Sequence, residues 1–123
     1  MAQLVAGDVE KFVDLMNQRA QELGMNDTHF ANPHGYHDPD HYTSAYDIYL
    51  MAHEAMKDPT FRELVSSVDY KIPATNLSEA RTLHSTNGLV STWRVRDYWY
   101  EYATGIKTGS TPEAGTLSGL LRH

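Results

Sequence analysis

The residues with the clearest chemical potential form the run Gly105 to Thr111, which reads Gly-Ile-Lys-Thr-Gly-Ser-Thr. Its aromatic and β-branched lead-in is typical of an edge strand, and Gly109 lacks the Cβ that would keep a ligand away from the backbone. Lys107 would place a positive charge at the strand end, Thr108 a hydroxyl beside it, and Ser110 a backbone N–H. Such groups can hold a carboxylate and polarise a carbonyl, as at a peptide C-terminus. An ordinary solvated strand end fits the same letters.

A second group of residues with chemistry lies in a stretch rich in Asn, Asp, Pro, Gly and His, from residue 26 to 42. This composition predicts a long loop. Imidazoles and carboxylates at such spacing can bind Zn²⁺ or a similar ion. The alternative is a set of histidines that are hydrogen-bonded within the loop, and the lack of a regular ligand pair on a helix favours it, so we expect no metal. The candidate ligands are His29, His34, His37, Asp38, Asp40 and His41.

Three helices are predicted around these segments. Apolar residues recur at helical spacing over residues 8–23, with Asp8 as the N-cap and Gly24 just beyond the end. A capping-box spacing at Ser44 opens a second helix over about 44–57. A short third helix is predicted over 60–66, with Pro59 at its first turn.

The second half of the chain reads as short extended pieces. We predict strands over 68–72, 82–85, 98–108 and 116–121, with residues 74–79 connecting a hairpin and a turn at 110–115 joining the last two strands. The aromatic side chains of 93–102 are dense enough for a stacking platform for sugar or nucleic acid. Because the chain is acidic, we interpret them as core packing and as a wall beside the lysine-bearing strand.

Composition limits the classes of function. The chain has 123 residues, a hydrophobic fraction of 41% and eight tyrosines, which indicates a folded chain of one domain at most. Its net charge of -6 gives no electrostatic footprint for nucleic acid or an anionic membrane. It has no cysteine, and therefore no disulfide or thiolate metal site. With no signal peptide and no apolar run of spanning length, the chain as given is expected to be soluble.

The run Gly105 to Gly115 resembles the third motif of penicillin-binding proteins and serine β-lactamases, in the form it takes in low-molecular-weight D-alanyl-D-alanine carboxypeptidases, the S11 serine peptidases. Other segments resemble the same family in the same order, so the resemblance covers nearly the whole chain. They are Phe12 to Met25, Thr28 to Gly35, His41 to Asp47, Ile72 to Asn76 and Arg81 to Leu89.

Two other motifs of that family are missing. The residues three positions before the four lysines are Asp8, Glu54, Val68 and Thr104, so the chain contains no Ser-x-x-Lys. Without that serine there is no route through an acyl-enzyme. A literal Ser-x-Asn begins at Ser85, but it occupies a place that is non-catalytic in the family. We therefore expect residues 1–123 to be a single partial domain, an internal or C-terminal part of a catalytic domain.

The resemblance implies an α+β chain with a helical N-terminal half followed by antiparallel strands, part of a penicillin-binding/β-lactamase-like fold. It implies an exported serine-type carboxypeptidase that acts on peptidoglycan stem peptides and binds β-lactams, with no cofactor. Lys107 would be catalytic, and Thr108, Gly109 and Ser110 would bind substrate. A non-catalytic binding or self-assembling module, such as a homodimer of this chain, and a metal-binding domain remain as alternatives.

Overall fold

The computed structural model describes residues 1–93, 97–113 and 115–118. Within these residues it is an α+β structure in which helices come first and short strands follow, as predicted. The chain divides into two compact units. One comprises Met1–Ala55 with Thr111–Gly115, and the other comprises Met56–Ser110 with the described part of Thr116–His123. The prediction that the chain forms one partial domain stays a prediction.

The first unit begins with two helices, α1 (Ala2–Ala6) and α2 (Val9–Glu22). The side chain of Asp8 caps α2 by accepting a 2.7 Å hydrogen bond from the backbone N–H of Lys11. Gly24 follows the helix with a φ of 76°, a left-handed conformation that glycine adopts without steric cost. The predicted helix over 8–23 is therefore confirmed, including its cap.

Helix α3 (Ala45–Ala55) is preceded by a long irregular segment, as predicted. The hydroxyl of Ser44 accepts a 3.1 Å hydrogen bond from the N–H of Asp47 at the first turn of α3. Two reciprocal backbone hydrogen bonds, of 2.9 and 3.1 Å, pair His29 with Tyr42 and close the segment into a loop. The sequence analysis therefore placed both the loop and the helix after it correctly.

In the second unit, α4 (Pro59–Ser66) is capped by the side chain of Asp58. Strands β1 (Asp69–Ile72) and β2 (Arg81–His84) follow it. They pair antiparallel, with Asp69 opposite His84. The third predicted helix and the first predicted hairpin are thus confirmed to within about two residues at each end.

The last two strands, β3 (Thr108–Thr111) and β4 (Gly115–Ser118), form a separate two-stranded sheet. The prediction of a strand over 98–108 is wrong. The N–H of Ala103 donates a 3.0 Å hydrogen bond to the carbonyl of Tyr100, so the chain turns there and the strand begins only at Thr108. The predicted strand over 116–121 corresponds to β4 as far as Ser118, and residues 119–121 lie outside the described residues.

Little apolar surface is deeply buried. Among the described residues, the apolar side chains that are almost fully buried are Ala20, Met25 and Val90. The core-packing interpretation of the aromatic segment is wrong for four of its members, which are more than half exposed: Trp93, Tyr98, Trp99 and Tyr102. Tyr98, Trp99 and Tyr102 lie at or beside the turn between Tyr100 and Ala103, whereas a continuous strand over 98–108 would have had one buried face.

Candidate functional site

The four residues predicted to act on a ligand lie at the start of β3. Lys107 is the residue just before the strand, and Thr108, Gly109 and Ser110 are its first three residues. The lysine therefore lies at the strand's N-terminal end, whereas the sequence analysis placed it where a long strand finishes. Lys107 to Ser110 are consecutive residues, so their order along the backbone does not depend on where the strand begins.

A cavity of about 500 Å³ opens beside Lys107 and Thr108 within the second unit. Its walls come from the end of α4, from both strands of the β1–β2 hairpin and from Ile106. Among the residues that the structure describes, Lys107 and Thr108 line this cavity, whereas Gly109 and Ser110 do not. The apolar wall residues are Leu64, Val65, Val68, Leu83 and Ile106.

Thr108 is held on two sides. Its hydroxyl lies 3.3 Å from the hydroxyl of Thr86, and either oxygen can be the donor. Its carbonyl oxygen accepts a hydrogen bond from the ammonium group of Lys107. Lys107 is exposed and Thr108 is partly buried, so the lysine side chain is accessible to a ligand from solvent.

Gly109 faces open space. A Cβ atom built on this residue would meet, among the described residues other than its two chain neighbours, no atom within 4 Å. The fold therefore does not require glycine here for steric reasons. A glycine on an exposed strand leaves room for the backbone of a ligand, which is the use predicted from the sequence.

Ser85 takes part in a local turn. Its backbone N–H donates a 2.7 Å hydrogen bond to the carbonyl of Val68, and its hydroxyl accepts one of 3.3 Å from the N–H of Asn87. These bonds give Ser85 a structural role at the end of the hairpin. The interpretation of its Ser-x-Asn letters as non-catalytic stays a prediction.

An acid–imidazole pair at this cavity was not predicted from the sequence. Nδ1 of His84 lies 2.5 Å from a carboxylate oxygen of Asp69, and both residues line the cavity. The indole of Trp93 stacks on the His84 ring, with centroids 4.9 Å apart and an angle of 11° between the planes. Only the β1–β2 register brings the acid and the imidazole together, so the signal was available from the two predicted strands once paired.

The histidine-rich loop uses ring nitrogens for local hydrogen bonds. Nδ1 of His29 lies 2.5 Å from the carbonyl oxygen of Asp40, and Nδ1 of His41 accepts a 3.1 Å bond from the N–H of Ala31. Across the ranges 1–93, 97–113 and 115–118, no group of three or more His, Asp or Glu side chains is arranged to hold a metal ion. The geometry thus offers the metal-binding alternative no support.

A match to a protein-family sequence model shows which family this chain belongs to. The sequence model of the D-alanyl-D-alanine carboxypeptidase family, peptidase family S11, matches residues 1–118. The chain belongs to this family. The match includes the Lys107 to Ser110 segment and every described helix and strand.

Curated relatives of this S11 chain are longer than it is. D-alanyl-D-alanine carboxypeptidase DacF of Bacillus subtilis is 35% identical over 114 residues, which is 93% of this chain and 27% of the relative. The D-alanyl-D-alanine carboxypeptidase of Streptomyces sp. K15 is 35% identical over 113 residues, 89% of this chain and 36% of the relative. The chain therefore spans roughly a quarter to a third of the length of these relatives.

Solved structures share the fold of this S11 chain. The Streptomyces K15 DD-transpeptidase matches with a TM-score of 0.77 and 31% identity, over 93% of this chain and 42% of that one. The D-alanyl-D-alanine carboxypeptidase of Mycobacterium tuberculosis H37Rv matches with a TM-score of 0.74 and 25% identity, over 93% and 40%. The predicted penicillin-binding/β-lactamase-like fold is confirmed. Among the described helices, none is long and apolar enough to cross a membrane.

Proposed function

We propose that this chain supplies the carboxylate-binding strand of a serine-type D-Ala-D-Ala carboxypeptidase that acts on peptidoglycan stem peptides. The observation that carries the proposal is the position of Lys107 and Thr108, which bring a cation and a hydroxyl to the edge of a largely apolar cavity. The relatives named above are carboxypeptidases for the same C-terminal dipeptide. A free C-terminal carboxylate can accept hydrogen bonds from both of these side chains, one of them charge-assisted.

Lys107 and the first three residues of β3 each have a distinct role in the proposed function. The ammonium group of Lys107 attracts the terminal carboxylate and takes part in proton transfer, and the Thr108 hydroxyl donates a hydrogen bond to the same carboxylate. Gly109 leaves room for the ligand backbone. The N–H of Ser110 donates to the carbonyl oxygen on which negative charge develops, which is the task of an oxyanion hole.

A β-lactam also carries a carboxylate beside its reactive carbonyl, so we propose that the same strand binds β-lactams. The substrate belongs to the cell wall, and the proposed place of action is therefore extracytoplasmic. No cofactor is needed for this chemistry. The net charge of -6 gives no attraction to nucleic acid.

The proposal is tested by following backbone amide signals by NMR while acetyl-D-Ala-D-Ala is added to the chain. We expect the largest shifts at Lys107 to Ser110 and at Thr86, with no comparable change along α2. Shifts confined to other segments, or none at millimolar ligand, would overturn the proposal. The binding expected here is weak, because one charged contact and one hydroxyl contribute to it.

Self-association is a second candidate property, and exposed apolar side chains favour it. On α1, Leu4 and Val5 are 87% and 62% exposed. An apolar cavity of about 330 Å³ in the first unit is lined by Val5 and by side chains of α2 such as Phe12 and Met16. Among the described residues each sheet has two strands, and an edge strand such as β2 is a template for pairing with another chain. A second copy of the chain would cover such surfaces, and we propose a homodimer.

A further inference from the structure

The hydroxyl groups of Thr86 and Thr108 are in contact at the proposed carboxylate site. The two oxygens are 3.3 Å apart, although the residues are 22 positions apart in sequence. Thr86 comes just after β2 and Thr108 opens β3, and both line the 500 Å³ cavity. A contact of this kind fixes one hydroxyl relative to the other.

The number of hydrogens that each hydroxyl can donate decides which threonine is the donor in this contact. A threonine hydroxyl has one hydrogen to donate and two lone pairs to accept with, whereas a carboxylate only accepts. If Thr108 donates its hydrogen to a ligand carboxylate, it has none left for Thr86. Thr86 must then donate to Thr108, and this bond turns the Thr108 hydrogen away from Thr86 and toward the ligand.

Thr86 is well placed for this task because its neighbour is anchored. Asn87 is only 5% exposed. Its Oδ1 accepts a 3.1 Å hydrogen bond from the N–H of Leu89, and its carbonyl accepts one of 2.9 Å from the N–H of Ser91. The β-branched side chain of Thr86 also has few χ1 rotamers, so its hydroxyl loses little freedom when it bonds to Thr108.

We propose that Thr86 is a positioning residue that orients the Thr108 hydroxyl toward the free carboxylate of a peptide or β-lactam ligand. This inference rests on the proposed function and adds to it a residue outside the Lys-Thr-Gly motif. Thr86 itself does not touch the ligand carboxylate. Thr86 increases the preference for a ligand that ends in a charged carboxylate over a ligand with a neutral end.

The test compares dissociation constants for acetyl-D-Ala-D-Ala and for its C-terminal amide, in the wild-type chain and in Thr86→Val and Thr86→Ser variants. In Thr86→Val we expect the preference for the acid to fall by about three- to tenfold, as for the loss of one hydrogen bond. Thr86→Ser keeps the hydroxyl and should restore the preference. A Thr86→Val variant that keeps the full preference would overturn the role of Thr86.

Two further measurements distinguish a failure of this inference from a failure of the proposed function. A wild-type chain that binds acid and amide equally would overturn the proposed function, and the role of Thr86 would fall with it. Three-bond couplings give the χ1 populations of Thr108 without ligand, and Thr86→Val should spread them over several rotamers. Unchanged populations would overturn the inference alone. Thr86→Ala makes the same comparison if the valine variant does not fold.

Discussion

The hydroxyl of Thr28 donates a 2.6 Å hydrogen bond to the carboxylate of Asp47, which is only 2% exposed. The same carboxylate oxygen accepts a 2.8 Å bond from the backbone N–H of Asp27. A single buried acid on α3 therefore anchors the start of the histidine-rich loop. Hydrogen bonds to Asp47 thus hold the first residues of the loop against α3.

Removal of this carboxylate should destabilise the first unit. In Asp47→Ala, the N–H of Asp27 and the hydroxyl of Thr28 lose their shared acceptor, and we expect the free energy of unfolding to fall by about 2–4 kcal/mol. Urea denaturation followed by circular dichroism measures the change. Asp14→Ala, at an exposed position of α2, is the control and should stay within about 0.5 kcal/mol of wild type. Equal stability of the two variants would contradict the anchoring role.

Substitution by alanine should change the stability of the second unit more at Gly105 than at Gly109. A Cβ on Gly105 would lie 2.9 Å from Cγ2 of Val65, and its φ of 149° strains any residue with a side chain. We expect Gly105→Ala to lower the free energy of unfolding by about 1–3 kcal/mol. Gly109→Ala is the matched control, since in the described part of the chain its Cβ would meet no atom within 4 Å beyond its two chain neighbours. If thermal melts show that Gly109→Ala is less stable than Gly105→Ala, Gly105 is not closely packed against Val65.

Local signals explain why helices α2, α3 and α4 and the first hairpin were predictable from sequence. Asp8, Ser44 and Asp58 each precede a helix and cap it, so apolar spacing and cap chemistry agree at all three starts. The segment before β3 was not predictable in this way. Its aromatic residues favour a strand, but the turn closed by the carbonyl of Tyr100 overrides that preference.

The candidate site was only partly predictable. Lys107 to Ser110 were recognised from a local motif, because neighbouring residues in a strand stay neighbours in the fold. Thr86 and the Asp69–His84 pair were not, since their positions depend on strand register and on contacts across more than ten residues. The Asp69–His84 pair could have been found only by pairing the two predicted strands in register, whereas the Thr86–Thr108 contact is set by packing, about which a single sequence carries little information.

The chain alone should not be acylated by penicillin. It contains no Ser-x-x-Lys, and the hydroxyl of Ser85 already accepts a hydrogen bond from its own turn. Incubation with a fluorescent penicillin, followed by denaturing electrophoresis, should therefore give no labelled band. A covalent band that disappears in a Ser85→Ala variant would show that this serine is a nucleophile after all.

The chain should self-associate at moderate concentration. Large apolar side chains such as Leu4, Val5 and Leu77 are mostly exposed, and burying them against a second copy is favourable. Light scattering over a concentration series should show a dimer, and a Leu4→Glu and Val5→Glu double variant should shift the equilibrium to monomer. A strict monomer that still melts cooperatively would contradict this expectation.

The central claim is that Lys107 gives this strand its preference for a free carboxylate, and one comparison tests it most directly. Dissociation constants for acetyl-D-Ala-D-Ala and its C-terminal amide would be measured in Lys107→Met and in Lys71→Met, an exposed lysine of β1 that serves as the control. We expect Lys107→Met to lose the preference for the acid by roughly tenfold or more, as for a hydrogen bond to a charged group. Lys71→Met should keep the wild-type preference. If both variants keep it, or both lose it equally, Lys107 does not hold the carboxylate and the proposed function is wrong.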